Sequence, residues 1–259
     1  MARRRLDAEL VRRGLSATRA DAQRAVSAGR VTVAGAPALK ASRLVGADEP
    51  VLVLGTGPRF VGRGGDKLDA ALVHFGIDVR DRRVLDAGAS TGGFTDCLLQ
   101  RGAAEVVAVD VGHGQLHERL RGDPRVVVRE RTNVRHLAAD DIGGPVSLVV
   151  ADLAFISLRT VLDALIGVCE PSGELVLLVK PQFEAGRADV SRGRGVVRDP
   201  TVHQSVKDDI DAALRARDAM IIGWMDSPLR GADGNIEFLV HVRPSNAEPA
   251  PVERKAVGP

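Results

Sequence analysis

Residues 82–102 read RRVLDAGASTGGFTDCLLQRG. Val84 and Leu85 make a short apolar run that closes on Asp86. A loop rich in glycine follows, and Phe94, Cys97 and Leu98 then recur at helical spacing as far as Gly102. The stretch therefore predicts strand, loop and helix in direct succession. Outward from it the alternation continues: helices over 66–75, 93–101, near 114–121, 158–168 and 200–216, and strands over 82–86, 105–110, 125–129, 146–151 and 174–180. Strands separated by helices imply a parallel sheet covered on both faces. The last two strands, 219–225 and 236–243, have no helical pattern between them, so the final strand should run antiparallel.

In an open α/β sheet, ligands bind beyond the carboxyl ends of the parallel strands. Four of the predicted strands end there on a charged residue: Asp86, Asp110, Asp152 and Lys180. One such ending is a strand reaching water; four in register point to a shared site. Glu237 begins the antiparallel strand at the same edge, and Lys67 starts the helix that descends into the first strand. A lysine there opposes the helix macrodipole, which points either to function or to an exposed side chain at a helix end.

The loop after the first strand narrows the cofactor. Gly88 permits a tight turn, and Gly92 and Gly93 let backbone approach a ligand. Ser90 stands where the second glycine of G-x-G-x-x-G would be, which counts against a dinucleotide. An open loop of this kind suits S-adenosylmethionine, which presents an amino acid in place of a pyrophosphate. Asp110, ending the second strand, can accept from both ribose hydroxyls.

The front of the chain differs in composition. Residues 1–43 carry ten basic side chains against Asp7, Glu9 and Asp21, a net +7 where the whole chain has +2, so about −5 remains for everything after. Concentrated positive charge points to nucleic acid, with a solvated helical face as the bland reading. Two short helices stopped by Gly14 and Gly29 precede a strand-rich remainder with Val31, Val33, Val51 and Val53. Gly55, Gly57 and Pro58 break the pattern, so the expected division is a domain over 1–56, a linker over 57–65, a catalytic domain over 66–243 and a disordered tail over 244–259.

Composition excludes several classes. With 259 residues and 44% hydrophobic content the chain can build a substantial core, and it has no apolar run long enough to span a bilayer. A soluble cytoplasmic monomer is expected, without DNA or membrane as partner. Cys97 and Cys169 sit in apolar patterns as reduced core residues, and His113 and His117 share helical spacing without further ligands, so no metal is expected.

The front segment RLDAELVRRGLSATRADAQRAVSAGRVTVAGAPALKASRLV resembles the RNA-binding domain named after the fourth protein of the small ribosomal subunit. The resemblance implies that Arg4, Arg12, Arg19, Arg24 and Arg30 face structured RNA, where shape and phosphate dominate recognition. The linker RFVGRGGDKL with DAGASTGGFTD, VDVGHGQL, RTNVR, ADLAFISL, VKPQFE and GNIEF resembles the FtsJ-like methyltransferases, and more closely the TlyA ("haemolysin A") family of ribosomal RNA methyltransferases. That resemblance implies a Rossmann-like α/β methyltransferase sheet behind a small α+β RNA-binding domain. It also implies 2′-O-methylation of cytidine in 16S and 23S ribosomal RNA, and susceptibility to ribosome-binding cyclic-peptide antibiotics of the capreomycin and viomycin type. The family's Lys-Asp-Lys-Glu tetrad falls on Lys67, Asp152, Lys180 and Glu237.

Lys180 is the expected base, abstracting the 2′-hydroxyl proton or only polarising it, with Lys67 as neighbouring cation and the two carboxylates as orienters. The expected cofactor contacts are Asp86, Gly88, Ser90, Thr91, Gly92, Gly93, Phe94, Asp110, Asn133, Asp152 and Phe155. Phe155 packs on the adenine, on the target base, or in the core. The linker reads Arg59-Phe60-Val61 where close relatives are expected to read Arg-Ala-Trp-Val. A small-molecule methyltransferase and a cytolysin are the alternatives. The basic front domain argues against the first, and the lack of amphipathic membrane-inserting segments against the second.

Overall fold

A computed structural model describes residues 3–16, 18–55, 59–186, 190, 193, 195–231 and 233–244. The chain divides into two compact units, Met1–Arg59 and Phe60–Pro259. In the first, β1 (Arg4–Arg5), α1 (Leu6–Arg12), α2 (Arg19–Ser27), β2 (Val31–Val33), β3 (Ala36–Pro37), β4 (Leu44–Val45) and β5 (Val51–Val53) follow in order. Thr18 and Asp21 form a reciprocal capping box that starts α2. Leu6 and Leu10 of α1 pack with Ala22, Ala25 and Val26 of α2 over Val31, Val33 and Val51, giving this unit its own small core. β2 pairs with β3 and β5, and a two-residue ladder that the sequence did not suggest joins β1 to β4.

The second unit contains α3 (Gly64–Phe75), β6 (Arg83–Ala87), α4 (Gly93–Gln100), β7 (Glu105–Val109), α5 (Glu118–Arg121) and β8 (Val126–Arg129). It continues with β9 (Val146–Ala151), α6 (Leu162–Gly167), β10 (Cys169–Val179), α7 (Pro181–Glu184), α8 (Pro200–Arg215), β11 (Met220–Asp226) and β12 (Phe238–Arg243). The sheet order is β11-β12-β10-β9-β6-β7-β8, with β12 antiparallel to both of its neighbours and the other adjacent pairs parallel. The expected antiparallel strand is therefore present, inserted between β10 and β11.

Period-two alternation divides the sheet into two cores. Leu85, Val107, Val149 and Leu177 face α6 and α8. Val84, Val106, Leu148 and Val176 face α3 and α4. Among the described residues, no helix is long and apolar enough to cross a membrane.

Three expectations change. Phe60–Gly65 belong to the packed catalytic unit, because Phe60 is buried in its core and the Val61 amide donates to Asp96 at 2.8 Å. The helix expected near 114–121 shrinks to one turn, since Gly114 lies at φ +69° and His117 caps what remains. The helix expected over 158–168 is a 3-10 turn, Leu158–Thr160, followed by the short α6. The tail after Pro244, like linker residues 57 and 58, lies outside the described residues.

Candidate active site

Two cavities share a wall made by Gly88, Ser90, Asp152 and Ala154. The first, about 410 Å³, is reached by Asp110, Asn133 and Phe155. The second, about 380 Å³, is lined by Lys67, Asp152, Lys180 and Glu237 together. The chain's topology assembles these four. Asp152 and Lys180 each follow the last residue of adjacent parallel strands, β9 and β10. Glu237 precedes the antiparallel β12, and Lys67 lies in the first turns of α3.

The tetrad forms two ion pairs. Lys180 Nζ stands 2.5 Å from Asp152 Oδ1, and Lys67 Nζ pairs with Glu237 Oε2. Lys67 is only 8% exposed, which removes the reading of a loose lysine at a helix end. A buried pair orients both partners, and breaking it leaves an uncompensated charge. Gly231 keeps space for Glu237, because a Cβ there would come within 2.6 Å of Glu237 Oε1.

In the first cavity, Asp110 accepts from the Ser90 and Gly112 amides, each at 2.7 Å. These bonds fix the carboxylate and leave lone pairs for a diol. Asn133 accepts from the Arg135 amide at 3.0 Å, so its own amide hydrogens stay available. Gly88 sits at φ +87°, and a Cβ on it would come 2.5 Å from the Asp152 carbonyl oxygen, so only glycine fits this turn. Ser90 adopts φ +49° in the same loop. Phe155 is 92% exposed at φ +63°, with its ring centroid 5.4 Å from that of Phe183. Core packing is thereby excluded for it.

Several expected contacts are placed elsewhere. Asp86 lies inside β6 on the face of Val84, fully buried beneath α4, where Thr95 Oγ1 donates to it at 2.6 Å. Strand alternation thus turns it away from both cavities. Burial, with Asp152 and Asp110 nearby, pushes its carboxyl up to about 7 against the Thr95 bond. Gly92 lines neither cavity, and a Cβ on it would collide with the Leu116 and Leu120 side chains.

Thr91, Gly93 and Phe94 line the tetrad cavity and do not reach the first one. Gly93 also receives the start of α3 and the turn before it: a Cβ on it would stand 3.0 Å from the Gly65 nitrogen and 3.2 Å from the Gly62 oxygen. The two glycine runs meet backbone to backbone. Sequence reading missed Arg63 in the tetrad cavity and Gln115, Thr132 and Leu153 in the other. The motifs RFVGRGGDKL, VDVGHGQL, RTNVR and ADLAFISL contained them, but nothing in their spacing singled out these positions.

In the first unit Arg4 is exposed and has no acidic partner among the described residues. Arg12 pairs with Glu9, Arg19 with Asp7 and Arg24 with Asp21, and Arg30 is partly buried.

A profile of the FtsJ-like methyltransferase family matches residues 60–243, and one of the S4 domain matches residues 4–51. The 16S/23S rRNA (cytidine-2′-O)-methyltransferase TlyA of Mycobacterium tuberculosis is 51% identical over 94% of this chain and 91% of its own length. YqxC of Bacillus subtilis, provisionally described as an rRNA methyltransferase, is 46% identical over 92% of this chain and 85% of its own. A solved structure from Streptococcus thermophilus, provisionally described as a hemolysin, superposes with a TM-score of 0.74 at 39% identity, covering 97% of this chain and 92% of that one.

Proposed function

Because the chain belongs to the FtsJ-like methyltransferase family and carries an S4 domain ahead of the catalytic unit, we propose that it methylates the ribose 2′-oxygen of cytidine in 16S and 23S ribosomal RNA, using S-adenosylmethionine. The observation that carries this reading is the pair of lysine–carboxylate bridges lining one cavity, which shares a wall with a cleft suited to that cofactor. The cleft fits because it offers a fixed carboxylate, Asp110, at a strand end and a turn at Gly88 too tight for a side chain. Asp110, Asn133, Ser90 and Gly88 would hold the cofactor. S-adenosylmethionine, when bound, supplies a methyl group on a positively charged sulfur that needs no further activation.

The protein's own work is to place the acceptor oxygen and manage its proton. Lys180 is the group for the proton, taking it or drawing the hydroxyl toward its nitrogen. Asp152, at 2.5 Å, sets the direction of the Lys180 Nζ group. Lys67, fixed by Glu237, adds the second positive charge on the same wall, which favours oxygen as it becomes anionic. Phe155, exposed beside Phe183, offers an aromatic face to an unstacked base. The front unit would bring the ribosomal particle to this site through Arg4 and its neighbours, and 2′-O-methylation there would bear on susceptibility to capreomycin and viomycin. The test is transfer of labelled methyl to 30S, 50S and 70S particles, followed by mapping of the modified ribose. A label recovered on protein or base in place of ribose would refute the reading.

A further inference from the structure

The most basic part of the chain buries two of its few acids. Asp7, in the first turn of α1, is fully buried, yet it touches two guanidinium groups that are themselves about half exposed. Arg5 donates to it through Nε at 3.1 Å and Nη2 at 2.9 Å, and Arg19, at the start of α2, donates through Nη2 at 3.1 Å. Gln23 Nε2 and the Ala8 amide complete the shell at 3.0 and 2.9 Å. The hydrogen bond from Arg5, with those of Gln23 and Arg19, holds the carboxyl well below its usual range despite burial. Glu9 makes a useful contrast. It also holds two arginines, but one of them, Arg13, is spent on the Gly46, Ala47 and Glu49 carbonyls and so serves the fold. Arg5 and Arg19 reach no such backbone groups among the described contacts. Arg5 uses its Nε–Nη2 edge on Asp7 and Arg19 a single Nη2 donor, and each keeps further N–H groups.

Tying Arg5 and Arg19 to Asp7 gives a buried carboxylate the partners its burial demands, but that need alone does not account for two guanidinium groups left about half exposed. What it does achieve is fixation of two planar forks side by side, their unused donors left for a ligand with adjacent anionic oxygens. We propose that Asp7 is a positioning residue for RNA binding, presenting Arg5 and Arg19 as a paired clamp for backbone phosphates. The proposal rests on the reading of the front unit as RNA-binding. It makes a prediction opposite to simple charge counting: removing this negative charge should weaken attachment to RNA. By charge alone, one more net positive unit would strengthen it.

The experiment compares full-length wild type, Asp7→Asn, Arg19→Lys and the double variant Arg5→Gln/Arg19→Gln for binding to purified 30S and 50S subunits across a salt series. Thermal unfolding and S-adenosylmethionine affinity are followed alongside. Expected are a loss of about five- to ten-fold for Asp7→Asn and a few-fold loss for Arg19→Lys, which keeps charge but not the fork, at unchanged cofactor affinity. Binding by Asp7→Asn as tight as wild type, or tighter, overturns the proposal. Should Asp7→Asn unfold early, Arg19→Lys decides: wild-type binding overturns the clamp, and weakened binding upholds it. If Arg5→Gln/Arg19→Gln weakens binding while both single variants do not, only the clamp fails. If the double variant too binds normally, the assignment of these arginines to RNA falls with it.

Discussion

Both units are built around lysine or arginine paired with acid, but they bury different partners. In the catalytic unit both members of the Lys67–Glu237 pair are withdrawn from water, and Lys180 and Asp152 are largely so. In the front unit the acids Asp7 and Glu9 are buried, and apart from Arg13, which turns inward to backbone carbonyls, their cations Arg5, Arg12 and Arg19 remain about half exposed. A cation enclosed with its carboxylate can act only on something brought into the cavity. A cation held from behind is presented outward. The same pairing of opposite charges is thus enclosed in one unit and presented to solvent in the other.

The comparison breaks most visibly at Lys180. Lys180→Ala should lower methyl transfer by about 10³-fold or more while S-adenosylmethionine affinity, measured by calorimetry, stays within a few-fold, because the proton handler is not part of the cleft. Substantial residual turnover would remove Lys180 from that role. Next in size, Glu237→Ala leaves Lys67 buried without its partner and should cost about 3–5 kcal/mol in denaturant unfolding. The corresponding loss for a half-exposed front arginine, Arg12→Gln, should be below about 1 kcal/mol. Equal losses would erase the distinction between the two kinds of pair.

Asp86 sharpens it from another side, as a buried acid with no cationic partner among the described residues. Its carboxyl is raised to about 7 in the fold, so the protonated form is favoured there. Its stabilising contribution is complete below the unfolded value of about 4 and is lost as pH rises through about 7, a loss of up to about 4 kcal/mol. Asp86→Asn should therefore flatten the fall in stability over that window and leave cofactor affinity unchanged. A lost affinity would return Asp86 to the ligand site. Asp110→Ala, by contrast, should weaken S-adenosylmethionine binding by about 1–3 kcal/mol with little change in stability.

The smallest effects belong to single front arginines. Arg4→Glu should lower the salt dependence of subunit binding by about one unit in the log–log slope. Reversing Arg12 or Arg19 would instead set a new acid against buried Glu9 or Asp7, so neutral substitutions are the cleaner test there.

The strand-end rule made Asp110, Asp152, Lys180 and Glu237 legible in the sequence, because hydrophobic runs closing on charge mark where a sheet meets its cleft. It failed at Asp86, where one residue of register turns the side chain under α4. The contact of Gly62–Gly65 with Gly93 left no periodic signal either, since two glycine runs meeting across a fold look like two loops until the chain is assembled. Asp7 registered in the sequence only as a charge, for a related reason. Its partners Arg19 and Gln23 lie 12 and 16 residues away on a second helix, and only helix packing makes them neighbours.

The insertion of β12 between β10 and β11 also sets an order of events during synthesis. Glu237 joins Lys67 across 170 residues. At roughly 5–20 residues per second, the ribosome makes the arginine-bearing unit and the glycine loop first and supplies the closing carboxylate some 10–30 s after its lysine. Until β12 has left the ribosome and entered the sheet, Lys67 has no carboxylate from that strand to pair with.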